Sequence, residues 1–227
     1  MFDKVQEAVK TFFKKGEKFK DLYEINQDGV IHQKITKNPM KYDTNYIDTY
    51  VKLGVTNDEM SYLRYGFMRG VIDDINKILD VGYGSGSFIK ICSNQIPNCF
   101  GYDISGYPVP EKVTPVEDIY KDEYDVVCFF DVLEHLPDIE VIKNLKTEYI
   151  YISAPWCHFY SEKWFMEWKH RKFDEHLWHF SEVSLDKFMA RMGYTRISNQ
   201  VNIEDLIRKT TFDYPNILTS IYERTHN

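Results

Sequence analysis

Between Lys77 and Tyr222 the chain alternates short, nearly unbroken apolar runs with polar or amphipathic stretches. Ile78 to Val81, Cys99 to Tyr102, Tyr124 to Phe130 and Tyr149 to Ile152 predict strands, and helices are predicted to start at Phe88 and to run from Leu136 to Leu145, with Pro137 near its first turn. Ser181 predicts the cap of a further helix with Leu185, Phe188, Met189 and Met192 on one face and Gly193 as its stop. Thr195 to Val201 and Asn216 to Tyr222 predict two more strands. Runs apolar on both faces suit strands covered by helices on each side, so the pattern predicts an α/β fold, doubly wound about a mainly parallel sheet.

Upstream the periodicity is helical. Met60, Leu63, Phe67, Met68, Val71 and Ile72 make one apolar face, and Gly66 and Gly70, four apart, are expected to let another backbone pass close by. Phe2, Val5, Val9, Phe12 and Phe13 predict an amphipathic first helix. Between them, Phe19 to Tyr50 is aromatic and broken by Asp28-Gly29 and Asn38-Pro39, with no clear period. The expected organisation is a helical, aromatic extension over residues 1–58, acting as a lid, and one domain over 59–227.

Composition narrows the function classes. With 43% apolar residues among 227, the chain can bury a full core, which excludes overall disorder. Its 28 Lys and Arg against 35 Asp and Glu leave a net charge of −7, which disfavours an extended nucleic-acid face. The local exception is Lys10, Lys14, Lys15, Lys18 and Lys20, read as the solvated face of the first helix. Cys92, Cys99, Cys128 and Cys157 show no C-x-x-C spacing and read as buried thiols of a reducing compartment. Met1 to Lys20 lacks the apolar stretch of a signal peptide, and no run approaches the ~20 residues of a membrane span, so a cytoplasmic location is expected.

The richest segment is Leu79-Asp80-Val81-Gly82-Tyr83-Gly84-Ser85-Gly86-Ser87-Phe88, a strand, a glycine turn and a helix start. Glycines here allow positive φ and let a ligand approach the main chain. A P-loop would need Gly-Lys-Ser/Thr, and a dinucleotide loop a third glycine one position later. The segment resembles motif I of the class I S-adenosylmethionine-dependent methyltransferases. Tyr124 to Asp138, with its Leu133-Glu134-His135-Leu136, is similar to the segment that follows strand 4 in that family. So are Ile152 to Trp156, and Leu177 to Ser181 before a helix ending at Met192-Gly193-Tyr194. The likeness, over residues 60 to 225, is to methyltransferases of the ubiquinone-biosynthesis and sugar-modifying type; residues before Tyr42 carry none of its motifs.

The resemblance implies a Rossmann-like seven-stranded sheet with S-adenosylmethionine as cofactor. It places Asp80, Gly82, Gly84 and Gly86 at the methionine part, Asp103 at the ribose, Ile104 against the adenine and Val116 and Glu117 at its edge. Phe130 and Asp131 are expected to close over the cofactor, and Tyr46 and Arg64 to meet its carboxylate; for Arg64 a structural role is the alternative.

For an oxygen acceptor a base is needed, and histidine suits neutral pH. His158 is the first candidate and His135 the second. Trp156, His176 and His179, with Trp178, are candidates for the acceptor pocket; a closed aromatic cluster is the alternative. Cys157, His158, His170, Asp174, His176 and His179 include zinc- or magnesium-type donors, but their spacing matches no standard ligand pattern, and no metal is expected. Methylation of a small polar acceptor, most simply at oxygen, is the function expected. A macromolecular acceptor, RNA ribose or protein, and a non-catalytic cofactor-binding homologue are the alternatives.

Overall fold

The computed structural model describes residues 18–44, 47–48, 55–208 and 214–226. The predicted first helix, Lys10, Lys14, Lys15, Tyr46 and Tyr50 lie outside the described residues. In chain order the elements are α1 (Phe19–Leu22), β1 (Tyr23–Ile25), β2 (Ile31–Gln33), α2 (Val55–Val71), β3 (Lys77–Val81), α3 (Ser87–Cys92), β4 (Asn98–Tyr102), β5 (Val113–Pro115), β6 (Glu123–Phe130), β7 (Lys146–Pro155), α4 (Glu162–Glu167), β8 (Trp178–His179), α5 (Glu182–Arg191), β9 (Tyr194–Arg196) and β10 (Ile217–Arg224).

Seven strands form one sheet in the order β5-β4-β3-β6-β7-β10-β9. Pairing is parallel from β5 to β7, while β10 runs antiparallel to both β7 and β9. This is the Rossmann-like arrangement, and the apolar runs explain it: alternate residues of one strand feed opposite cores. Leu79, Val127, Phe129 and Ile150 pack with Leu185 and Phe188 of α5, whereas Ile78, Val126, Cys128 and Tyr151 pack with Met68 of α2 and Phe88 of α3. Strand order reverses at β3, so the crevice for a ligand lies beyond the carboxyl ends of β3, β4 and β6.

Helix α5 is capped as predicted. Ser181 Oγ accepts from the Ser184 amide at 3.1 Å and Ser184 Oγ accepts from the Ser181 amide at 2.8 Å, and Gly193 follows with φ 88°. The helix predicted over Leu136 to Leu145 is instead two 3-10 segments, Leu133–His135 and Ile139–Asn144. Pro137 lacks an amide hydrogen and drives Leu136 to ψ 139°, which ends the first; the Asp138 side chain caps the second. The strand expected over Thr195 to Val201 stops at Arg196, because the Ile197 and Ser198 amides both turn to the Ile221 carbonyl. Gly66 and Gly70 do not mark a close helix contact, since an added Cβ at either would meet nothing within 4 Å.

The aromatic stretch without clear period supplies two strands of a second, antiparallel sheet, β1-β2-β8, whose third strand is Trp178–His179. Asn26 Oδ1 accepts from the amides of Asp28 and Val30, each at 3.0 Å, which closes the β1–β2 turn with Gly29 at φ 85°. Phe19, Tyr23 and Ile31 pack there with Phe165 and Trp168. An ion pair of 2.7 Å between Asp28 and Arg191 joins the hairpin to α5. All four cysteines are free and buried, and burial pushes the Cys99 and Cys157 thiols up to about 12. No helix among the described residues is long and apolar enough to cross a membrane.

Candidate cofactor and acceptor site

Beyond β3 the chain turns through Gly82, Gly84 and Gly86 at φ 70°, 54° and 76°. A Cβ on Gly82 would lie 2.4 Å from Val132 Cγ2, and one on Gly86 would lie 2.5 Å from Pro110 Cγ, so both must be glycine for close approach as well as for φ. At Gly84 the space is open, with only Ile47 Cδ1 at 3.9 Å. The turn is tied to the end of β4 by Asp103, whose carboxylate accepts from the amides of Gly84 and Ser105, each at 2.8 Å. Ile104, next along, is 67% exposed. The Val116 amide donates to the Gly101 carbonyl at 3.0 Å, and Glu117 is exposed. Asp80 is buried below the turn. Burial pushes its carboxyl up to about 8, with Arg64 opposing and Asp103 adding to the shift.

At the end of β6, Phe130 is buried between Phe88 and Tyr151, with the Arg64 guanidinium 4.2 Å from its ring centre. Its ring therefore sits in the core rather than over the edge. Asp131 follows at φ 55° and forms ion pairs with Arg208 at 2.7 Å and Arg64 at 3.3 Å. Burial would raise its pKa, but the two guanidiniums outweigh that and hold the carboxyl far below the usual range. Behind them Glu204, fully buried, accepts from Arg64 Nε at 2.7 Å and Ser153 Oγ at 2.6 Å and lies 2.8 Å from Arg208 Nε. Arg64 is thus already paired with two carboxylates of the chain and is not presented as a free cation.

Five of the seven histidines stand in four settings. His135 Nδ1 lies 2.8 Å from the Glu175 carbonyl and 2.7 Å from the Tyr42 hydroxyl, and His176 Nδ1 lies 2.8 Å from the His170 carbonyl. Their rings meet edge to face at 4.6 Å, and burial holds both below the ordinary histidine pKa. His158 donates through Nε2 to the Pro215 carbonyl at 2.7 Å and stacks between Trp156 and Tyr160. His179 is enclosed by Tyr23, Phe165 and Trp168, and burial lowers its pKa to about 3. His170 Nε2 donates to Asn216 Oδ1 at 3.0 Å, and burial lowers its pKa to about 4. The six donors weighed from sequence as a metal set are not brought together; among the described residues a different set converges, Glu134, His135 and His176, whose ligand atoms lie within 4.8 Å of one another.

Residues 2–199 match a methyltransferase domain family. The chain belongs to this family. It is a class I S-adenosylmethionine-dependent methyltransferase. The match begins at residue 2, upstream of every motif that carried the resemblance. Solved structures share the fold at low identity. A Haloferax volcanii methyltransferase in complex with the Trm112 activator is 14% identical over 81% of this chain and 97% of its own, with a TM-score of 0.58. A Clostridium acetobutylicum S-adenosylmethionine-dependent methyltransferase is 9% identical over 80% and 97%, with a TM-score of 0.57. A Burkholderia thailandensis 1,6-didemethyltoxoflavin-N1-methyltransferase is 13% identical over 90% and 99%, with a TM-score of 0.54. No curated protein sequence matches the chain.

The sequence pattern assigns no role to Glu204, Arg208 or Glu175 at the methyltransferase's edge. Glu204 and Arg208 stand four apart in Ile203-Glu204-Asp205-Leu206-Ile207-Arg208, which marks a pair on one helical face. Nothing in that spacing points to Arg64, 140 residues away.

Proposed function

We propose that the methyltransferase acts on a small polar acceptor and methylates an oxygen, with His158 as general base and His135 as the second candidate. The reading is carried by the imidazoles around the ends of β6 and β7. His135, His158 and His176 each use one ring nitrogen on a main-chain carbonyl. In the neutral ring this leaves a lone pair on the other nitrogen. A hydroxyl must lose its proton as the new bond forms, and such a lone pair can take it.

On the cofactor side, Asp80, Gly82, Gly84 and Gly86 are assigned to the methionine part, Asp103 to the ribose, Ile104 to the adenine face and Val116 and Glu117 to its edge. The open approach at Gly84, the exposed Ile104 beside Asp103 and the remaining lone pairs of the Asp103 carboxylate fit that group. When bound, S-adenosylmethionine supplies an electrophilic methyl for in-line displacement. The chain's residues hold the acceptor in line and exclude water. Asp131, kept in place by Arg64 and Arg208, shapes the floor between cofactor and acceptor, while Trp156, His176 and His179 are assigned to the acceptor side. Tyr42, bonded to His135, and Ile47, against the glycine turn, reach this edge from the N-terminal segment and support a lid role for residues 1–58.

Calorimetry with S-adenosylhomocysteine, together with labelled-methyl transfer to fractionated metabolites, tests the reading. Gly84→Arg should abolish binding. His158→Ala should lower kcat by about 100-fold or more with little change in cofactor affinity. Label found only in RNA or protein, or wild-type chain that binds no S-adenosylhomocysteine, would overturn it.

A further inference from the structure

We propose that Glu134, His135 and His176 bind one divalent transition-metal ion of the zinc type, through the Glu134 carboxylate and the Nε2 atoms of the two imidazoles. The carboxylate is the starting point. Glu134 is 1% exposed, and neither of its oxygens has a hydrogen-bond partner. A buried carboxylate with no donor is costly to keep, and such groups in native folds are ordinarily satisfied by a partner that is present or by an ion.

The two histidines cannot act as that donor when neutral. A main-chain carbonyl only accepts, so the contacts of His135 Nδ1 with the Glu175 carbonyl and of His176 Nδ1 with the His170 carbonyl, both at 2.8 Å, put the hydrogen on Nδ1, and the Tyr42 hydroxyl, 2.7 Å from His135 Nδ1, shares that hydrogen as a second acceptor. Each Nε2 is then a bare lone pair. His135 Nε2 is 3.9 Å from Glu134 Oε1, and His176 Nε2 is 3.8 Å from Glu175 Oε1, too far for hydrogen bonds. One ligand atom from each of the three residues lies within 4.8 Å of the other two, and the rings lie at 85° so that the imidazoles approach from different directions. An imidazole that donates Nδ1–H to a carbonyl while presenting Nε2 is the usual outer support of a metal ligand, since it fixes both tautomer and ring orientation.

Charge points the same way. Asp131 is neutralised by Arg64 and Arg208, and Glu175 by Lys172 at 2.7 Å, which leaves Glu134 as the carboxylate without a counter-charge in contact. Two imidazoles and one carboxylate favour zinc, iron, cobalt or nickel over magnesium or calcium, whose sites are built from oxygen. Ligand atoms of a tetrahedral zinc lie about 3.3–3.5 Å apart, given bonds of about 2.0–2.1 Å, so the side chains need to close by roughly an ångström. Three protein ligands leave a fourth position open, and at the exit of β6 an acceptor oxygen or a water could fill it and be made more acidic. With the ion bound, His135 and His176 are both ligands, so the base role stays with His158 and His176 meets the acceptor only through the ion. The site does not depend on the acceptor assignment.

The test uses the full chain, stripped with a chelator, dialysed, and titrated with zinc or cobalt(II) salts. Metal content is read after gel filtration and the cobalt site by its visible absorption. We expect about one metal per chain, and at least a tenfold loss of affinity in both Glu134→Gln and His176→Ala. Glu134→Gln preserves the side chain's shape, and S-adenosylhomocysteine binding and thermal melting report whether each variant is folded. Absence of zinc or cobalt uptake by the wild-type chain, uptake of magnesium alone, or equal uptake by folded variants overturns the site. A chain that holds metal but binds no S-adenosylhomocysteine overturns the cofactor residue assignments instead.

Discussion

Glu204 has no exposed surface and receives Arg64, Arg208 and Ser153 at once, so Glu204→Gln is a sharp perturbation of the edge. The amide keeps the shape but removes the charge, and leaves two guanidiniums facing Asp131 alone. Removing one partner of a buried ion pair costs about 3–5 kcal/mol. Here Arg208 is about one-third exposed and Arg64 little exposed, which places the expected loss near the lower end, about 3 kcal/mol. For a domain of this size that corresponds to a fall in Tm of about 6–12 °C, read by circular dichroism. Asp131 should lose its fixed position too, so S-adenosylhomocysteine affinity should fall even though Glu204 is not assigned to the cofactor. The companion variant Arg64→Met/Glu204→Leu removes both charges and should recover much of the stability, because burying a matched apolar pair avoids the desolvation cost. A fall in Tm below about 3 °C for Glu204→Gln, equivalent to about 1 kcal/mol, would refute the claim that this network holds the edge.

Gly82→Ala should be less stable than Gly84→Ala by about 1–3 kcal/mol, measured by urea unfolding, since both carry positive-φ strain but only Gly82 meets a neighbour at 2.4 Å. Asp80, raised from 3.8 to about 8, binds its proton more tightly folded than unfolded, so its contribution is full below pH 4 and is lost as pH rises toward 8. Asp80→Asn should therefore gain in Tm relative to the wild type across that window; parallel Tm profiles would count against it. Asp103→Asn should bind S-adenosylhomocysteine more weakly than the wild type yet better than Asp103→Ala, because the amide still accepts from Gly84 while only the carboxylate accepts from two hydroxyls.

The family and the central sheet were written locally. β3, β4, β6 and β7 are read from sequence because strands covered on both faces need apolar residues at every position, and no other arrangement hides runs such as Tyr124 to Phe130. The glycine turn and the Ser181 cap are equally local, since positive φ and an unpaired amide are satisfied within a few residues. Other features depend on partners far along the chain. The three-residue strands β1 and β2 exist because they pair with each other and β2 with Trp178–His179, and the close backbone passage expected at Gly66 and Gly70 is not found because nothing packs there. Arg64 reads as a cofactor ligand until Glu204 and Asp131 are placed beside it. Likewise Glu134-His135 is a helix-start motif in sequence, and only folding sets His176 against it and leaves a buried carboxylate among bare ring nitrogens. Periodicity and turn chemistry reach a few residues along the chain; the pairing of buried charges is decided by the solvent that tertiary packing removes.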